Sequence, residues 1–371
     1  MCLFDHDLAL KEPHMIKLQR TFHPVGQGAF YTEEFFSGEE RIFTVVYDCG
    51  SETAPKVDFE AKIEGFKKRI SHIDILFLSH FHADHINGLD KLLEGVKVEK
   101  TIIPMLPQEV LLLTRVQNFI KYRDDALAAD GVISDLYLGG QTRARFGEVV
   151  AVLPDNYDSV SSDIFVGGSN KVQNGSVVKG YEQFWEYLPF NSIDIKDQRA
   201  IIFNTGFQKI KKAFNNAGEL DVSKLIRGCR RQVKELYKQV MNGTNDNLYT
   251  LAVESCPAKN VYPYPDPRLS RCLYLGDFDS VGNTSVWNRL VEVFSLKDIG
   301  TIQVPHHGSR NNWRADLLQG DPRDYVASAG YANQYHHPDY WVIRDIINAG
   351  HSAFVVDENA GSIKEYVFTI W

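Results

Sequence analysis

Three histidines and an aspartate lie within six positions of the sequence LFLSHFHADHINGL, residues 76–89. They are His80, His82, Asp84 and His85. Imidazole and carboxylate groups together suit zinc, manganese or iron, and no cysteine lies among them to favour a softer metal. A lone histidine is usually an ordinary hydrogen-bonded residue, but four ligand-capable groups in one stretch argue against that alternative. The stretch therefore predicts a site for one or two divalent ions.

Two further clusters follow strand-like runs later in the chain. LYLGDFD contains Gly276 and Asp277, and VPHHGS contains His306, His307 and Ser309. Polar residues at successive strand ends of an α/β sheet lie where such folds gather their sites. We therefore predict that these clusters join the first one in a single site.

Two cations at such a site would serve hydrolysis. A water shared between two cations has a lowered pKa and becomes hydroxide near neutral pH, while the cations neutralise charge on the substrate's oxygens. This chemistry suits phosphodiesters, because both the attacking and the leaving oxygen are held. Asp84 and Asp277 are candidate catalytic residues that orient the nucleophile as well as bind metal. His337 is a candidate phosphate-binding residue or leaving-group acid, and a purely structural role in the loop before Pro338 is an equal alternative.

The elements that must position these residues alternate between strand and helix. The pattern predicts two strands between Ile16 and Gly50, a helix over residues 59–70, and a strand that leads into the first cluster. It also predicts one long helix over residues 108–130 and a second helical region over residues 205–241. This alternation is typical of an α/β layered fold.

The composition limits the class of protein. The chain has 371 residues, 44% of them hydrophobic, with a net charge of −8, which excludes nucleic-acid binding through overall positive charge but not through a local basic patch. The 5 cysteines are scattered and include no CxxC pair, which fits a reducing cytoplasm. No apolar stretch of about 18 residues indicates a membrane span. We predict a cytoplasmic protein whose first 14 residues form a flexible extension.

The pattern His80-x-His82-x-Asp84-His85 resembles the signature of the metallo-β-lactamase fold superfamily, whose four-layer αβ/βα sandwich holds a one- or two-metal hydrolytic site. The closer resemblance is to the metallo-hydrolase domain of the DNA-uptake channel protein ComEC and its stand-alone relatives. The matching motifs cover most of the chain, and only the region over residues 105–240 lacks one. They are VGQG (25–28), YDCG (47–50), SHFHADHINGL (79–89), NDNLYTLAV (245–253), YLGDFD (274–279), VPHHGS (304–309) and NQYHHP (333–338).

This resemblance implies a role for each candidate ligand. It assigns His80 and His82 to one ion and Asp84 and His85 to a second. It makes Asp277 the bridging carboxylate. One of His306 and His307 would complete a coordination sphere, with His307 preferred, and the other would contact substrate. The implied substrate-binding residues are His306, Ser309, Asn333 and His337.

The chain departs from the superfamily pattern at one point. Many members supply a further histidine between the first motif and the bridging aspartate, but no histidine occurs between His85 and His306. The ComEC-like group is implied to use the segment near Asn247 instead. The implied cofactors are two divalent ions, Zn²⁺ or Mn²⁺, with a single bound ion as the alternative.

Residues of the opening strands carry weaker signals. The VGQG motif lacks the features of a phosphate-binding loop, so a tight turn is the better interpretation. Gln27 and Asp48 lie at strand ends from which they can reach the residues around the site. His23 is interpreted as a satisfied strand histidine and not as a ligand.

We predict a single metallo-β-lactamase-fold domain with a mainly helical insertion over about residues 155–241. Its basic segment, residues 209–238, either lines a nucleic-acid groove or is an amphipathic helix with a solvated charged face. The predicted function is metal-dependent hydrolysis of DNA or RNA. The alternatives are hydrolysis of a small phosphoester, cyclic nucleotide or carboxylic ester, and a metal-stabilised protein-binding module without catalysis. No protein partner is indicated.

Overall fold

A computed structural model gives the fold for most of the chain. It describes residues 15–122, 125–139, 143–155, 165–166, 170–182, 184–194, 198–214, 224, 226, 228–242 and 247–370. The predicted flexible extension and several parts of the predicted insertion lie outside these residues. None of the described helices combines the length and the apolar character needed to cross a bilayer.

The described strands belong to two large sheets and one small one. They are β1 (Ile16–Phe22), β2 (Tyr31–Ser37), β3 (Glu40–Tyr47), β4 (His72–Phe77), β5 (Lys97–Pro104), β6 (Leu106–Pro107), β7 (Glu148–Val152), β8 (Phe165–Val166), β9 (Asn170–Val172), β10 (Val178–Lys179), β11 (Trp185–Asn191), β12 (Leu251–Pro257), β13 (Cys272–Tyr274), β14 (Thr301–Gln303), β15 (Asp324–Ser328), β16 (Ser352–Val356) and β17 (Lys364–Ile370).

The described α-helices vary from one turn to more than four. They are α1 (Lys56–Lys67), α2 (Ala83–Ile86), α3 (Leu89–Leu93), α4 (Gln108–Lys121), α5 (Ala126–Tyr137), α6 (Arg199–Phe214), α7 (Arg230–Met241), α8 (Pro267–Ser270), α9 (Thr284–Val293) and α10 (Tyr340–Asn348). Short 3₁₀ turns cover Arg143–Phe146, Leu296–Asp298, Pro305–Gly308, Arg310–Asn312, Ala315–Leu318 and Ala360–Ser362.

The two large sheets have eight and seven strands. The first has the order β17-β1-β2-β3-β4-β5-β7-β9, the second has the order β10 to β16, and β6 pairs with β8. Strands β3, β4, β5 and β7 are parallel, as are β13 to β16. Because the carboxyl ends of parallel strands meet at one edge, the loops after β4, β13 and β14 can share a site.

Helices cover the outer faces of both sheets. The inner faces pack on each other through residues such as Phe77 of the first sheet and Tyr274 of the second. The outer face of the first sheet packs against α1, α4 and α5, and that of the second against α9 and α10. The predicted four-layer αβ/βα sandwich is therefore confirmed.

Two predicted elements differ from the structure. The stretch between the opening strands contains a further strand, β2, which pairs with both β1 and β3. The single helix predicted over residues 108–130 is two helices. Arg115 and Asp130 form an ion pair of 2.5 Å, whereas one straight helix would separate them by about 22 Å. The chain turns after α4 because α5 then folds back and buries its apolar side in the same core.

The predicted insertion contains two strands of the second sheet, β10 and β11. Strand β11 lies in this segment and pairs with β12 along its whole length. Helices α6 and α7 contribute Phe203 and Val233 to the same apolar core as α4. The boundaries of the insertion stay a prediction.

A buried ion pair joins the two sheets. Arg20 Nε lies 2.7 Å from Glu33 Oε1, and both side chains belong to the first sheet. Tyr187, Ser255 and Tyr274 of the second sheet donate to the same carboxylate at 2.7, 2.8 and 2.9 Å. A buried pair is stable when further hydrogen bonds satisfy its remaining groups, as they do here, and removing one partner typically costs about 3–5 kcal/mol.

His23 makes stability depend on pH. Its Nε2 lies 2.9 Å from Thr32 Oγ1, and burial, with a smaller effect of Arg69, lowers its pKa to about 3. The unfolded chain, with a histidine pKa of about 6.5, binds a proton that the folded chain does not. Stability should therefore fall as pH falls from about 6.5 towards 3, by about 1.4 kcal/mol per pH unit. Urea unfolding at pH 7 and pH 5.5 measures this.

The control for this measurement is a side chain that does not titrate. The His23→Gln variant should be less stable at pH 7 but should lose less stability on acidification than the parent. Equal losses in the two proteins would contradict the assignment of the effect to His23.

Candidate metal centre

The first cluster follows β4 in a short loop and the first turn of α2. His80 and His82 lie in the loop, and Asp84 and His85 lie in α2. All four side chains are buried. Strand β4 already ends at Phe77, so His80 and His82 lie beyond it. Beyond that point the backbone N–H of Ser79 donates to Asp48 Oδ1 at 2.7 Å instead of to a neighbouring strand.

The second sheet supplies the other clusters. Asp277 follows β13, and His306 and His307 follow β14. A Cβ atom at Gly276 would lie 2.9 Å from Ser79 Cβ, so only glycine lets the two loops approach this closely. His306 and His307 have φ values of 48° and 56°. Such left-handed conformations are costly for non-glycine residues and are concentrated at functional sites.

The side chains form two groups that could each hold a cation. Within each group the ligand atoms lie within 4.8 Å of one another. One group is His80, His82 and Asp84, and the other is Asp84, His85, Asp277 and His307. Asp84 belongs to both groups, and Asp277 also approaches the first, since its Oδ2 lies 3.5 Å from His80 Nε2. His306 belongs to neither group.

Several buried atoms of these side chains have no hydrogen-bond partner within the described part of the chain. They are Nε2 of His80, His85 and His307 and Oδ1 of Asp84 and Asp277. A buried polar atom without a partner is costly, and a divalent cation would satisfy nitrogen and oxygen atoms of this kind. The residues therefore fit a divalent metal site, and both imidazole and carboxylate donors are present.

Asp48 and Ser79 orient two of the histidines. Asp48 Oδ2 lies 2.8 Å from His85 Nδ1 and 2.5 Å from Ser79 Oγ. Ser79 Oγ in turn lies 2.9 Å from Nδ1 of His80. Because the single hydroxyl proton is donated to the carboxylate, the hydroxyl oxygen accepts from His80. Nδ1 of each imidazole is therefore the donor, and in the neutral form of each ring the lone pair lies on Nε2, which is the atom that faces the ligand groups.

Helix α4 supports the remaining part of the first cluster. Gln117 Oε1 lies 3.2 Å from His82 Nε2, so a proton on Nε2 leaves the lone pair of His82 on Nδ1. Asn118 accepts from the backbone N–H of Ala83 at 3.1 Å and donates to the carbonyl of Phe81 at 2.7 Å. The two amide side chains thus hold the loop that carries His82.

The electrostatics keep the two carboxylates charged. Burial opposes the charge on Asp84, but His85 and His307 outweigh it and hold the pKa of that carboxyl below its usual range. Burial also opposes the charge on Asp277, but His306 and the neighbouring histidines outweigh it and hold the pKa of that carboxyl well below its usual value. Burial and the neighbouring His85 lower the pKa of His80, which leaves a neutral imidazole. These are the protonation states in which such groups bind cations.

A cavity of about 1080 Å³ opens over the two groups. The predicted site residues that line it are His82, Asp84, Asp277, His306, His307, Ser309 and His337. Asn333 does not line it, because its side chain is used within its own loop. It donates to the carbonyls of Gly330 and His337, both at 2.6 Å, and accepts from the N–H of His337 at 2.8 Å. Asn333 therefore positions His337 and does not face the cavity.

His337 reaches the cavity in a neutral form. Burial, followed by the nearby His307 and His306, lowers its pKa to about 4. An imidazole of this kind is neutral at neutral pH, so the alternative of a charged leaving-group acid loses support. Its ring stacks on Tyr335 with centroids 5.8 Å apart.

Several residues of the cavity wall carry no signal in the sequence. Tyr122 hydrogen-bonds to Asp84, and burial raises its pKa well above the usual value, so it keeps its proton. Burial and the nearby Asp84 raise the pKa of Glu52 to about 7. Lys121 and Arg199 supply positive charge to the same wall. Each lies outside any motif, so only the fold brings them to the site.

Separate replacement of His306 and His307 should distinguish their roles. His307 is almost fully buried, with Nε2 3.5 Å from both Asp84 and Asp277, whereas 21% of the His306 side chain is exposed. His307→Ala should reduce the number of bound ions, whereas His306→Ala should keep the ions and lower turnover. Metal analysis after gel filtration, with a phosphodiesterase assay, measures both. Loss of an ion from His306→Ala alone would reverse the assignment.

A family model described as the metallo-beta-lactamase superfamily matches residues 43–144, which include the whole first cluster. This part of the chain is similar to the metallo-β-lactamase superfamily. With the two sheets and their helical layers, the fold is the metallo-β-lactamase sandwich.

The proteins that are similar to this chain include a curated relative and several solved structures. The Anti-Pycsar protein Apyc1 of Paenibacillus sp. (strain J14) is 29% identical over 117 residues, which are 30% of this chain and 44% of the relative. The matched part of the chain thus spans less than half of that relative's length. The metallo-beta-lactamase fold protein YhfI of Bacillus subtilis is 9% identical, with 94% of this chain and 100% of that one covered and a TM-score of 0.37. A long form RNase Z from yeast is 12% identical, with 93% and 36% covered and a TM-score of 0.33.

Proposed function

We propose that this chain is a metal-dependent phosphodiesterase of the metallo-β-lactamase superfamily. The observation that carries the proposal is the convergence of two groups of buried donors, which share Asp84, beneath a cavity of about 1080 Å³. The first group comes from the loop after β4, and the second also takes Asp277 and His307 from the other sheet. Paired sites of this kind suit phosphoryl chemistry, since they hold both oxygens of an in-line displacement.

The roles of the side chains follow from their places around the cavity. His80, His82 and Asp84 would hold one ion, and Asp84, His85, Asp277 and His307 would hold the other. Bound ions would lower the pKa of a shared water and neutralise charge on the phosphate. Lys121 and Arg199 line the wall and would attract the anionic substrate. Tyr122 keeps its proton and can donate it in a hydrogen bond at Asp84.

DNA or RNA is the first proposed substrate. The motif resemblance to the ComEC-like hydrolases supports this choice, and that closer relationship is part of the proposal. A small phosphoester or cyclic nucleotide is the second. One observation favours this small substrate. Among the described residues of α6 and α7, only Arg199 lines the cavity. The basic side chains of those helices therefore give no support for a nucleic-acid groove at the site.

Metal analysis and a substrate panel test the proposal. The purified protein should hold up to two divalent ions per chain. With Mn²⁺, Zn²⁺ or Mg²⁺ added it should hydrolyse bis-p-nitrophenyl phosphate, and assays with single-stranded DNA, duplex DNA, RNA and cyclic mononucleotides would identify the substrate class. Hydrolysis of a p-nitrophenyl carboxylic ester in place of every phosphodiester would contradict the proposal. A protein that binds no ion and cleaves nothing would favour the binding module.

A further inference from the structure

Four exposed aromatic side chains lie close together in the segment 331–341, which leads into α10. They are Tyr331, Tyr335, Tyr340 and Trp341, and their exposed fractions are 87%, 51%, 71% and 39%. We call these four residues the aromatic strip. Large rings that stay exposed in one short segment mark an interaction site more often than single exposed residues do.

The aromatic strip begins in the wall of the cavity. Tyr335 lines the cavity, and its ring stacks on that of His337. The N–H of Asp339 donates to the carbonyl of Gly308 at 2.9 Å, which ties the strip to the loop of His306 and His307. The strip is therefore joined to the cavity at Tyr335 and, through Asp339, to the loop of His306 and His307.

Two arginines flank the far end of the strip. The guanidinium carbons of Arg310 and Arg344 lie 5.1 and 3.8 Å from the centroid of the Trp341 ring. Arg310 follows Ser309 and precedes Asn311, which both line the cavity. A guanidinium group stacked on a ring can still use its N–H groups on a phosphate.

The acidic groups nearby are already engaged. The carboxylate of Asp339 accepts from the N–H of Trp341 at 2.8 Å and caps α10. Asp345 pairs with Arg344 at 3.0 Å. Glu358 also lies here, since its carboxylate accepts from the N–H of Tyr331 at 2.9 Å. Three carboxylates thus accompany the two arginines, so the surface is not positive and stacking must supply most of any affinity for a polynucleotide.

We propose that the aromatic strip binds a single-stranded polynucleotide whose scissile phosphate lies in the cavity. The position of the cut rests on the proposed function, but the binding does not. Tyrosine, tryptophan and stacked arginine hold bases without regard to sequence. Bases in a duplex are already stacked on each other, so the strip should select single strands. Because Arg344 is already paired with Asp345, Arg310 is the main phosphate contact, and the logarithm of affinity should fall with the logarithm of salt concentration with a slope of only about −0.7.

The test measures binding separately from hydrolysis. A fluorescently labelled dT12 oligonucleotide is titrated with the parent protein in EDTA, and binding is followed by anisotropy. Trp341→Ala and Tyr340→Ala should each weaken binding about tenfold. Neither ring lines the cavity. Tyr262→Ala is the matched control, because Tyr262 is 71% exposed but lies outside the strip and the cavity wall, and it should bind as the parent does. Unchanged circular dichroism and melting temperature verify that each variant is folded.

Three results would overturn the inference. They are a dissociation constant for dT12 weaker than about 10⁻⁴ M, equal binding by the strip variants and the parent, and equal affinity for a duplex of the same length. A steep salt dependence with unaffected strip variants would assign binding to the basic helices instead.

A separate assay with bis-p-nitrophenyl phosphate distinguishes the two proposals. Cleavage of this ester without binding of dT12 would support the proposed function and contradict binding by the aromatic strip. Binding of dT12 through the strip without cleavage of any phosphodiester would support the strip and contradict the proposed function.

Discussion

Asp277→Asn should lose at least one bound ion and about a thousandfold or more in hydrolysis of any phosphodiester substrate. Asp277 Oδ1 lies 3.2 Å from His85 Nε2 and 3.5 Å from His307 Nε2, so this carboxylate is at the centre of the second group. Asparagine has nearly the same shape but removes the negative charge. Because metal ions supply several kcal/mol of charge stabilisation and about 1.4 kcal/mol corresponds to a tenfold change in rate, the loss should be large. Metal content and kcat/KM are the measurements.

The matched control for this substitution is Asp90→Asn. Asp90 lies in α3, shortly after the first cluster, is 55% exposed and pairs with Arg145 at 2.6 Å. The same chemical change at this position should leave metal content and rate unchanged. If Asp277→Asn binds as many ions as the parent and cleaves at a similar rate, the proposed centre is wrong.

Asp48→Asn should weaken metal binding about 10- to 100-fold while the protein stays folded. The carboxylate of Asp48 accepts from both His85 and Ser79, and Ser79 extends the effect to His80. The asparagine amide can present its NH₂ group to His85 Nδ1. Nδ1 would then accept this hydrogen bond and carry the lone pair. The proton of the imidazole would lie on Nε2, the atom that faces the ligand group. Affinity measured by competition with a colorimetric chelator tests this without any assay of activity.

Ser79→Ala distinguishes the direct contact of Asp48 with His85 from its indirect contact with His80 through Ser79. It removes the link to His80 but keeps the direct contact between Asp48 and His85, so its effect on affinity should be smaller than that of Asp48→Asn. NMR spectra of ¹⁵N-histidine-labelled protein should report a changed tautomer of His85 only in Asp48→Asn. An unchanged tautomer in that variant would contradict the orienting role.

The sequence predicted the sandwich because its signals are local. Apolar runs such as the one before Ser79 predict buried strands, and the spacing of His80 to His85 identifies the loop that follows. The sequence does not predict strand β2, because the glycines on both sides of its segment indicate a linker between two strands. The break after Lys121 was missed because apolar residues continue at helical spacing on both sides of it.

The wall of the cavity could not be predicted in the same way. Tyr122 and Glu52 stand in no motif, and nothing in their neighbouring residues distinguishes them from other surface side chains. They face Asp84 because the turn after α4 and the loop after β3 converge on the same edge of the sheet. Asn333 is the opposite case. Its motif suggested a contact with substrate, but the fold uses every hydrogen bond of its amide inside the loop.

The sharing of ligands between the two sheets has a consequence for the integrity of the chain. His80 and His85 come from the first half of the polypeptide, and Asp277 and His307 come from the last third. A product cut short by proteolysis or a premature stop after α7 would retain the first group of donors and the region matched by the family model, yet lack half of the second group. Recognition of the superfamily in a fragment would therefore say nothing about whether that fragment has a complete reaction centre.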